Sequence, residues 1–204
     1  MKTDSSAHYR DRRSPPCKRF GRAGVRVALT LLCGLIPTAG APAEATATAF
    51  KEYQVKAAFL FNFSKFVEWP ARKFNDSTSP IVIGILGANP FGSELEKTVK
   101  GRHINGRDVV VQQFDGAEAA RSAHLLFVSA GSDAAVERLL KALDGSGVLT
   151  VGESNAFARY GGIVTFLLEG DKLGFTINIE AAGRAGLKIS AQLQKLAKGS
   201  GKRP

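Results

Sequence analysis

The chain has 204 residues but only two cysteines, Cys17 and Cys33, and both precede residue 44. Residues 44–204 therefore cannot form a disulfide, supply a thiolate nucleophile or bind a metal through cysteine. This part of the chain must be held together by a hydrophobic core. Its length and a hydrophobic content of 44% in the whole chain are sufficient for one well-buried domain.

Residues 44–204 also lack a strong net charge. The whole chain carries +10, but residues 1–43 contain eight Lys and Arg residues against Asp4 and Asp11, which gives +6. The remaining 20 basic and 16 acidic residues leave only +4 for residues 44–204. Because nucleic-acid binding requires a concentrated basic surface, we predict no nucleic-acid partner.

No apolar run near the N-terminus is long enough to span a membrane. The apolar segment VALTLLCGLIP covers residues 27–37, whereas a membrane helix needs roughly 20 residues. It follows a basic segment and precedes small residues in which Ala41-Pro42-Ala43 fits a signal-peptidase site, with Ala39-Gly40-Ala41 as an alternative. We predict a cleaved signal peptide at 1–43, a single domain at 44–198 and a disordered tail at 199–204.

Proline and glycine are absent from Ala47 to Trp69, and Pro70 follows, which predicts a helix that ends at Trp69. One side of this helix carries an apolar stripe of Val55, Phe59, Phe63 and Phe66. Phe61 projects about 200° from Phe59. We expect a core helix in which Phe61 can contact a partner, although the alternation in FLFNF also fits a strand.

Strands and helices alternate through the rest of the chain. Strands are predicted at 80–87, 108–114, 124–130 and 148–153 and in a hairpin around Gly170-Asp171, with helices at 93–99, 115–122, 132–144, 155–160 and 180–198. In the last helix, Leu187, Ile189, Leu193, Leu196 and Ala197 are expected to face inward. This order predicts a single α/β domain, Rossmann-like or flavodoxin-like, with a mostly parallel sheet flanked by helices, a C-terminal antiparallel hairpin and a closing helix.

Motifs that carry catalysis are missing. GILGANPFG follows a predicted strand but has neither the dinucleotide-binding nor the P-loop spacing. His103 and His124 have no neighbouring residues with metal-ligand spacing, and we expect a structural role for His124. Ser129, Ser132 and Ser154 do not lie in a nucleophile elbow. We therefore predict no catalytic residues, no metal and no cofactor.

Five segments, in this order, resemble the YfiR family of exported bacterial proteins: YQVKAAFLFNFSKFVEWP, IGILGANPFG, INGRDVVV, AHLLFVSA and VLTVGESNAFARYGGIVTFLLEGDKLGFTINIEAAGRAGLKISAQLQKLA. The resemblance extends from about residue 50 to residue 198. It implies a periplasmic, often dimeric α/β domain without known catalytic activity. The characterised role in the family is to bind the periplasmic sensory domain of an inner-membrane diguanylate cyclase and repress it, which lowers cyclic di-GMP and biofilm formation.

The resemblance also implies a partner at the outer membrane that can sequester the repressor. Some members occur beside other sensors, including histidine kinases. Relatives typically have a cysteine directly before the histidine that opens the third strand, where this chain has Ala123. Redox gating through disulfides is therefore excluded here.

A repressor of this kind needs an aromatic and aliphatic patch that binds its partner. The candidates are Phe61, Phe91, Phe157, Tyr160, Phe166 and Leu168, and ordinary core packing is the alternative for each of them.

A small-ligand module that feeds a histidine kinase or another membrane sensor is the competing hypothesis. Open α/β sheets bind ligands at the carboxyl ends of their strands, here near residues 87–91, 129–132 and 152–155. The candidate ligand-binding residues are Asn89, Ser129, Glu153 and Asn155.

Overall fold

The computed structural model describes residues 43–129, 131–170 and 172–198, with side chains described from Lys51 onward. The predicted signal peptide before residue 43, with Cys17 and Cys33, and the predicted tail 199–204 lie outside the described residues. No helix in the described part of the chain is both long and apolar enough to cross a membrane.

Seven helices, one 3-10 turn and nine strands alternate along the described residues. In chain order they are α1 (Ala43–Lys65), β1 (Val67–Glu68), a 3-10 turn (Ala71–Lys73), β2 (Ile81–Leu86), α2 (Glu94–Val99), β3 (His103–Ile104), β4 (Arg107–Phe114), α3 (Ala117–Ala120), β5 (Leu125–Val128), α4 (Asp133–Leu143), β6 (Leu149–Gly152), α5 (Asn155–Arg159), β7 (Val164–Glu169), β8 (Lys172–Ile177), α6 (Ile179–Arg184), β9 (Lys188–Ile189) and α7 (Ala191–Leu196).

Seven strands form the main sheet in the order β3-β4-β2-β5-β6-β7-β8. The five inner strands are parallel, and β3 and β8 run antiparallel at the two edges. The chain leaves β2 for β4 on one side and then returns to β5 on the other side, which is the strand order of flavodoxin-like domains. The predicted mixed α/β domain with a mostly parallel sheet and an antiparallel hairpin is confirmed.

Alternate strand residues point to opposite faces of the sheet, so the domain has two hydrophobic cores. One core includes Ile83, Phe127 and Val151 and packs against α1. The other includes Leu126 and Val128 and packs against α4. Burying one such side chain stabilises the fold by roughly 2 kcal/mol. These two cores fix the positions of the loops at both ends of the strands.

The first helix is shorter than predicted at its C-terminal end. α1 ends at Lys65, and the chain then forms β1, which pairs antiparallel with β9. The indole Nε1 of Trp69 donates a hydrogen bond of 2.8 Å to the His124 carbonyl oxygen. This contact and the β1–β9 pairing are incompatible with a helix that continues to Trp69. Val55 is 47% exposed and does not belong to the buried stripe.

The predicted closing helix is divided into α6, β9 and α7. Gly186 has a φ of +74°, which ends α6 because a helix requires negative φ. Ser190 then caps α7 by accepting a hydrogen bond from the Leu193 amide. Leu187 and Leu193 are buried as expected, but Leu196 is 63% exposed.

Candidate functional site

A cleft of about 220 Å³ lies between α1 and the β7–β8 hairpin, and we call it the α1–hairpin cleft. Its lining comprises Glu52, Tyr53, Lys56, Glu153, Phe166, Leu167, Leu168 and Leu173. The three α1 residues share one helical face because they are three and four positions apart. The loop after β6 supplies Glu153, and the hairpin supplies the apolar side.

Lys56 is the central charged residue of the cleft and is only 3% exposed. Its Nζ lies 2.5 Å from Glu52 Oε1 and also contacts Glu153 Oε2. The same ammonium lies 4.4 Å from the centroid of the Tyr53 ring. Burying an ammonium is tolerated only when it is paired. The two carboxylates therefore hold the lysine in place between α1 and the sheet.

Tyr53 completes the polar side of the cleft. Its hydroxyl donates a 3.0 Å hydrogen bond to Glu153 Oε1. Burial, together with the nearby Glu153 and Glu52 carboxylates, raises the pKa of Tyr53 above its ordinary value. The hydroxyl therefore stays protonated and remains a donor at neutral pH. Two carboxylates face one ammonium, so the cleft carries an excess negative charge.

The hairpin side of the cleft is apolar. Phe166 is buried, Leu167 and Leu173 are half-buried, and Leu168 is 58% exposed. An exposed leucine beside partly accessible carboxylates suits an apolar protein segment that carries a basic group. Chemically, this arrangement can bind and orient a partner.

Sequence inspection missed the three α1 residues of the cleft. Lys56 occupies the buried side of an otherwise apolar helix, next to Ala57 and four positions before Leu60. A lysine in that place requires a buried carboxylate, and Glu52 lies one turn earlier. That pattern was the available signal. The contact with Glu153 could not be inferred because it depends on tertiary structure.

Four of the six predicted partner-binding residues lie in the hydrophobic core: Phe61, Phe91, Phe157 and Phe166. Their burial supports the alternative of ordinary core packing for these residues, and Phe166 also lines the α1–hairpin cleft. Phe61 does leave the main stripe of α1, but it belongs to the same core cluster, and the Arg102 guanidinium lies 4.9 Å from its ring. Tyr160 is half-buried beside Arg159. Leu168 is the exposed member of the six.

Phe157 has a packing role that explains the glycines around it. Its ring lies over Gly152 and Gly162, and a Cβ at Gly162 would be 2.0 Å from Cε1 of the ring. The Gly162 amide also donates a 2.9 Å hydrogen bond to the Phe157 carbonyl oxygen. The segment from Phe157 to Gly162 is therefore a closely packed turn that leads into β7.

A second cavity, of about 250 Å³, lies at the carboxyl ends of β2 and β5 beside α4, and we call it the switch-point cavity. It is lined by Leu86, Gly87, Asp115, Val128, Ser129, Gly131, Ala135, Val136 and Leu139. The chain changes direction between these two strands, and open α/β sheets commonly bind ligands at that point.

The four predicted ligand-binding residues do not form one site. Ser129 lines the switch-point cavity, whereas Glu153 lines the α1–hairpin cleft. Asn89 closes its own turn, because its Oδ1 accepts from the Phe91 amide and its Nδ2 donates to the Gly92 carbonyl oxygen. Asn155 is exposed at the start of α5.

His124 is packed at the opposite end of the sheet, before β5. Its Nδ1 accepts a 3.1 Å hydrogen bond from the Val82 amide, and its ring stacks on Phe74 with centroids 4.6 Å apart. Within the described residues its buried Nε2 has no hydrogen-bond partner. Burial and the nearby Lys73 lower the pKa of His124 to about 4. His103, in contrast, is exposed and lies 2.7 Å from Asp108 Oδ1.

These features define a flavodoxin-like α/β domain with a charged cleft beside a terminal hairpin. Residues 53–198 match the model of the YfiR/HmsC-like family (DUF4154), and the chain belongs to this family. Members of this family are regulators rather than enzymes.

No curated protein matches the chain. Two solved structures show partial similarity at 12% identity. One is a conserved domain protein from Vibrio cholerae, with a TM-score of 0.42 over 58% of this chain. The other is an ABC domain in complex with L-Trp from Streptococcus pneumoniae, with a TM-score of 0.46 over 69% of this chain. The chain covers 54% and 59% of these two structures, respectively.

Proposed function

We propose that the protein is exported to the periplasm, binds the sensory domain of an inner-membrane diguanylate cyclase and holds that enzyme inactive. Repression lowers cyclic di-GMP and biofilm formation. Membership of the YfiR/HmsC-like family over residues 53–198 supports this proposal. A partner at the outer membrane that captures the protein would relieve the repression.

The α1–hairpin cleft is the surface that we propose for the cyclase. A repressor without chemistry acts by binding the inactive state of its partner more tightly than the active state. Reversing such an equilibrium takes about 5 kcal/mol of binding preference, which an apolar anchor beside paired charges can supply. The observation that carries the assignment is the exposed Leu168 next to the carboxylates of Glu52 and Glu153.

Intracellular cyclic di-GMP tests the proposal. We expect the nucleotide to rise when the gene is deleted and to return to the parental level when the full chain is supplied. A chain that lacks residues 1–43 should not restore the level, because it would remain in the cytoplasm. An unchanged level on deletion would contradict repression of a cyclase.

A small-ligand module is the second candidate function, and the switch-point cavity favours it. A ligand bound there could control a histidine kinase or another membrane sensor. Thermal unfolding of the purified protein against panels of nucleotides, amino acids and peptides tests this function. A ligand that uses the cavity should stabilise the wild type but not Ala135→Leu, which reduces the cavity volume.

A further inference from the structure

Residues 69–75 lie between β1 and β2 and contact the segment that leads into β5, and we call them the strap. The strap contains the 3-10 turn Ala71–Lys73 and otherwise irregular backbone. In the described part of the chain, every hydrogen bond between the strap and another segment involves a side chain. A segment without backbone pairing to the sheet can open while the sheet stays intact.

Both ends of the strap are anchored. On one side, Glu68 of β1 is paired with Lys188 of β9. On the other side, the Arg107 guanidinium donates hydrogen bonds of 2.9 Å and 2.8 Å to the carbonyl oxygens of Asp76 and Ser79. The strap can therefore open and close between two fixed points.

His124 is the residue on which the strap closes. The Trp69 indole donates a 2.8 Å hydrogen bond to the His124 carbonyl oxygen, and the Phe74 ring stacks on the imidazole with centroids 4.6 Å apart. Lys73 Nζ donates a 2.7 Å hydrogen bond to the carbonyl oxygen of the preceding residue, Ala123. The closed position of the strap therefore depends on the state of the imidazole.

The closed strap disfavours a charged imidazole. Nδ1 of His124 accepts a 3.1 Å hydrogen bond from the Val82 amide, so the neutral ring carries its proton on Nε2. A second proton, on Nδ1, would place two N–H donors opposite each other. The charged groups that act on the ring are Lys73 of the strap and Arg107 of β4, and both are cations. Burial, followed by the charge of Lys73, lowers the pKa of His124 to about 4, although the Lys73 backbone opposes part of this shift.

We propose that residues 69–75 are an acid-released strap, which opens when His124 binds a proton and leaves the rest of the domain folded. Opening removes Lys73 and Phe74 from the ring, so the imidazole can turn into water and bind a proton with its ordinary affinity. Because the open state binds this proton more tightly than the closed state, acid shifts the equilibrium towards the open state.

Opening would uncover Trp69 and Phe74, which pack against the hydrophobic core in the closed state. Acid would thus expose an aromatic surface that is covered at neutral pH. An exported domain meets the pH outside the cytoplasm, so the physiological use of the strap rests on the proposed export. The opening itself does not depend on that proposal.

Hydrogen exchange tests the strap, measured by NMR on the purified full chain as the host cell processes it. Trp69 is the single tryptophan of the chain, so its indole proton gives one unambiguous signal. With a pKa of about 4 in the closed state and about 6.5 in the open state, the ratio of open to closed strap should rise roughly 30-fold from pH 7.5 to pH 5. The exchange rate of the indole proton, corrected for the pH dependence of a free indole, should rise by the same factor. The Leu140 amide in α4 should exchange more slowly at both pH values, because its exchange requires the domain to unfold.

Two histidine variants assign the effect. His124→Gln cannot bind the proton, so its corrected indole exchange should be the same at both pH values. His103→Gln is the matched control, because His103 is exposed beside Asp108, and it should keep the wild-type increase.

The wild type alone decides if His124→Gln does not fold. A Trp69 indole proton that exchanges at the same corrected rate at pH 7.5 and pH 5, or no faster than the Leu140 amide, overturns the proposal. An increase that persists in His124→Gln, or that disappears in His103→Gln, also overturns it.

Discussion

Lys56 of α1 and Glu153 at the end of β6 are 97 positions apart and form an ion pair inside the α1–hairpin cleft. This pair joins the first helix to the carboxyl end of the sheet. Glu52 also pairs with Lys56, and the Tyr53 hydroxyl donates to Glu153, so the four polar groups form one connected cluster. The hairpin residues that line the cleft, including Leu168, therefore lie beside a cluster of charges that are paired with one another.

Replacing Lys56 with methionine should destabilise the domain. Methionine fills a similar volume but leaves the Glu52 and Glu153 carboxylates next to each other without a cation. Breaking a fully buried pair costs roughly 3–5 kcal/mol, and because both carboxylates are partly exposed we expect about 2 kcal/mol. Urea unfolding at pH 7 measures this change.

Glu153→Gln is the control for that prediction. Glutamine can still accept the Tyr53 hydrogen bond, and Lys56 keeps Glu52 as its counter-ion. The loss should therefore be clearly smaller than for Lys56→Met. Equal losses in the two variants would show that the cation is not the centre of the cluster.

Gly162→Ala should be strongly destabilising because the added Cβ would overlap the Phe157 ring at 2.0 Å. Relief requires movement of a buried ring, so we expect a loss of roughly 3 kcal/mol. Replacing the Phe157 ring with the smaller leucine side chain should relieve part of this overlap. The double variant Gly162→Ala/Phe157→Leu is therefore expected to lose less unfolding free energy than the sum of the losses in the two single variants. Urea unfolding of all three variants completes the cycle.

Gly183→Ala is the matched control, since a Cβ there meets nothing within 4 Å. Gly183 lies inside α6, where alanine is favoured over glycine by about 1 kcal/mol. This variant should be as stable as the wild type or more so. A destabilised control would mean that the Gly162 effect is not specific to the Phe157 contact.

The order of strands and helices was predictable because each inner strand is a short apolar run between turn residues, as in IVIGIL of β2 and LLFV of β5. Such runs are buried on both faces, which is typical of parallel sheets. The division of the last helix was not predicted. KIS continues a helical pattern, but β1 offers a strand partner and Gly186 allows the break.

The candidate site was only partly predictable for a similar reason. Phe61 projects away from the main apolar stripe of α1, and this position indicated a partner surface. In the structure α2 packs against α1, and Phe61 belongs to the hydrophobic core. Glu153 was selected as a loop residue near a strand end, and its actual partner, Lys56, lies on the first helix. Local patterns locate elements, whereas a charge pair between distant elements depends on how those elements pack.

Stability should fall when the pH drops below about 6.5, because His124 is held neutral in the folded protein. The unfolded chain binds a proton near pH 6.5, whereas burial lowers the pKa of the folded histidine to about 4. The loss is absent above pH 6.5 and grows as the pH falls towards 4. Because the unfolded chain binds this proton and the folded protein does not, the free energy of unfolding should fall by about 2 kcal/mol between pH 7.5 and pH 5.

Urea unfolding at several pH values measures this dependence. In His124→Gln the side chain cannot titrate, so the part of the pH dependence between 6.5 and 4 that is due to this residue should disappear. The groups around the ring are the cations Lys73 and Arg107, which both disfavour the imidazolium. A variant with the same pH profile as the wild type would assign the acid sensitivity to other groups.

Leu168→Glu should weaken repression of the cyclase without weakening the fold. Leu168 is 58% exposed on β7, so a glutamate there loses little buried area in the free protein. Its carboxylate would have to lose water when an apolar partner side chain is buried against it, and this desolvation disfavours binding. A partner segment with a basic and apolar character would lose its apolar anchor, and losses of about 2 kcal/mol or more are typical of such positions. Cyclic di-GMP in the complemented deletion strain should then approach the level of the deletion itself.

Leu196→Glu provides the comparison, because Leu196 is exposed to a similar extent, 63%, on α7 and does not line the cleft. Both variants should unfold at the wild-type urea midpoint. Only Leu168→Glu should raise cyclic di-GMP if the α1–hairpin cleft binds the cyclase. If both variants lose repression equally, or neither loses it, the α1–hairpin cleft is not the surface that binds the cyclase. The gene deletion tests the regulatory role separately from this surface.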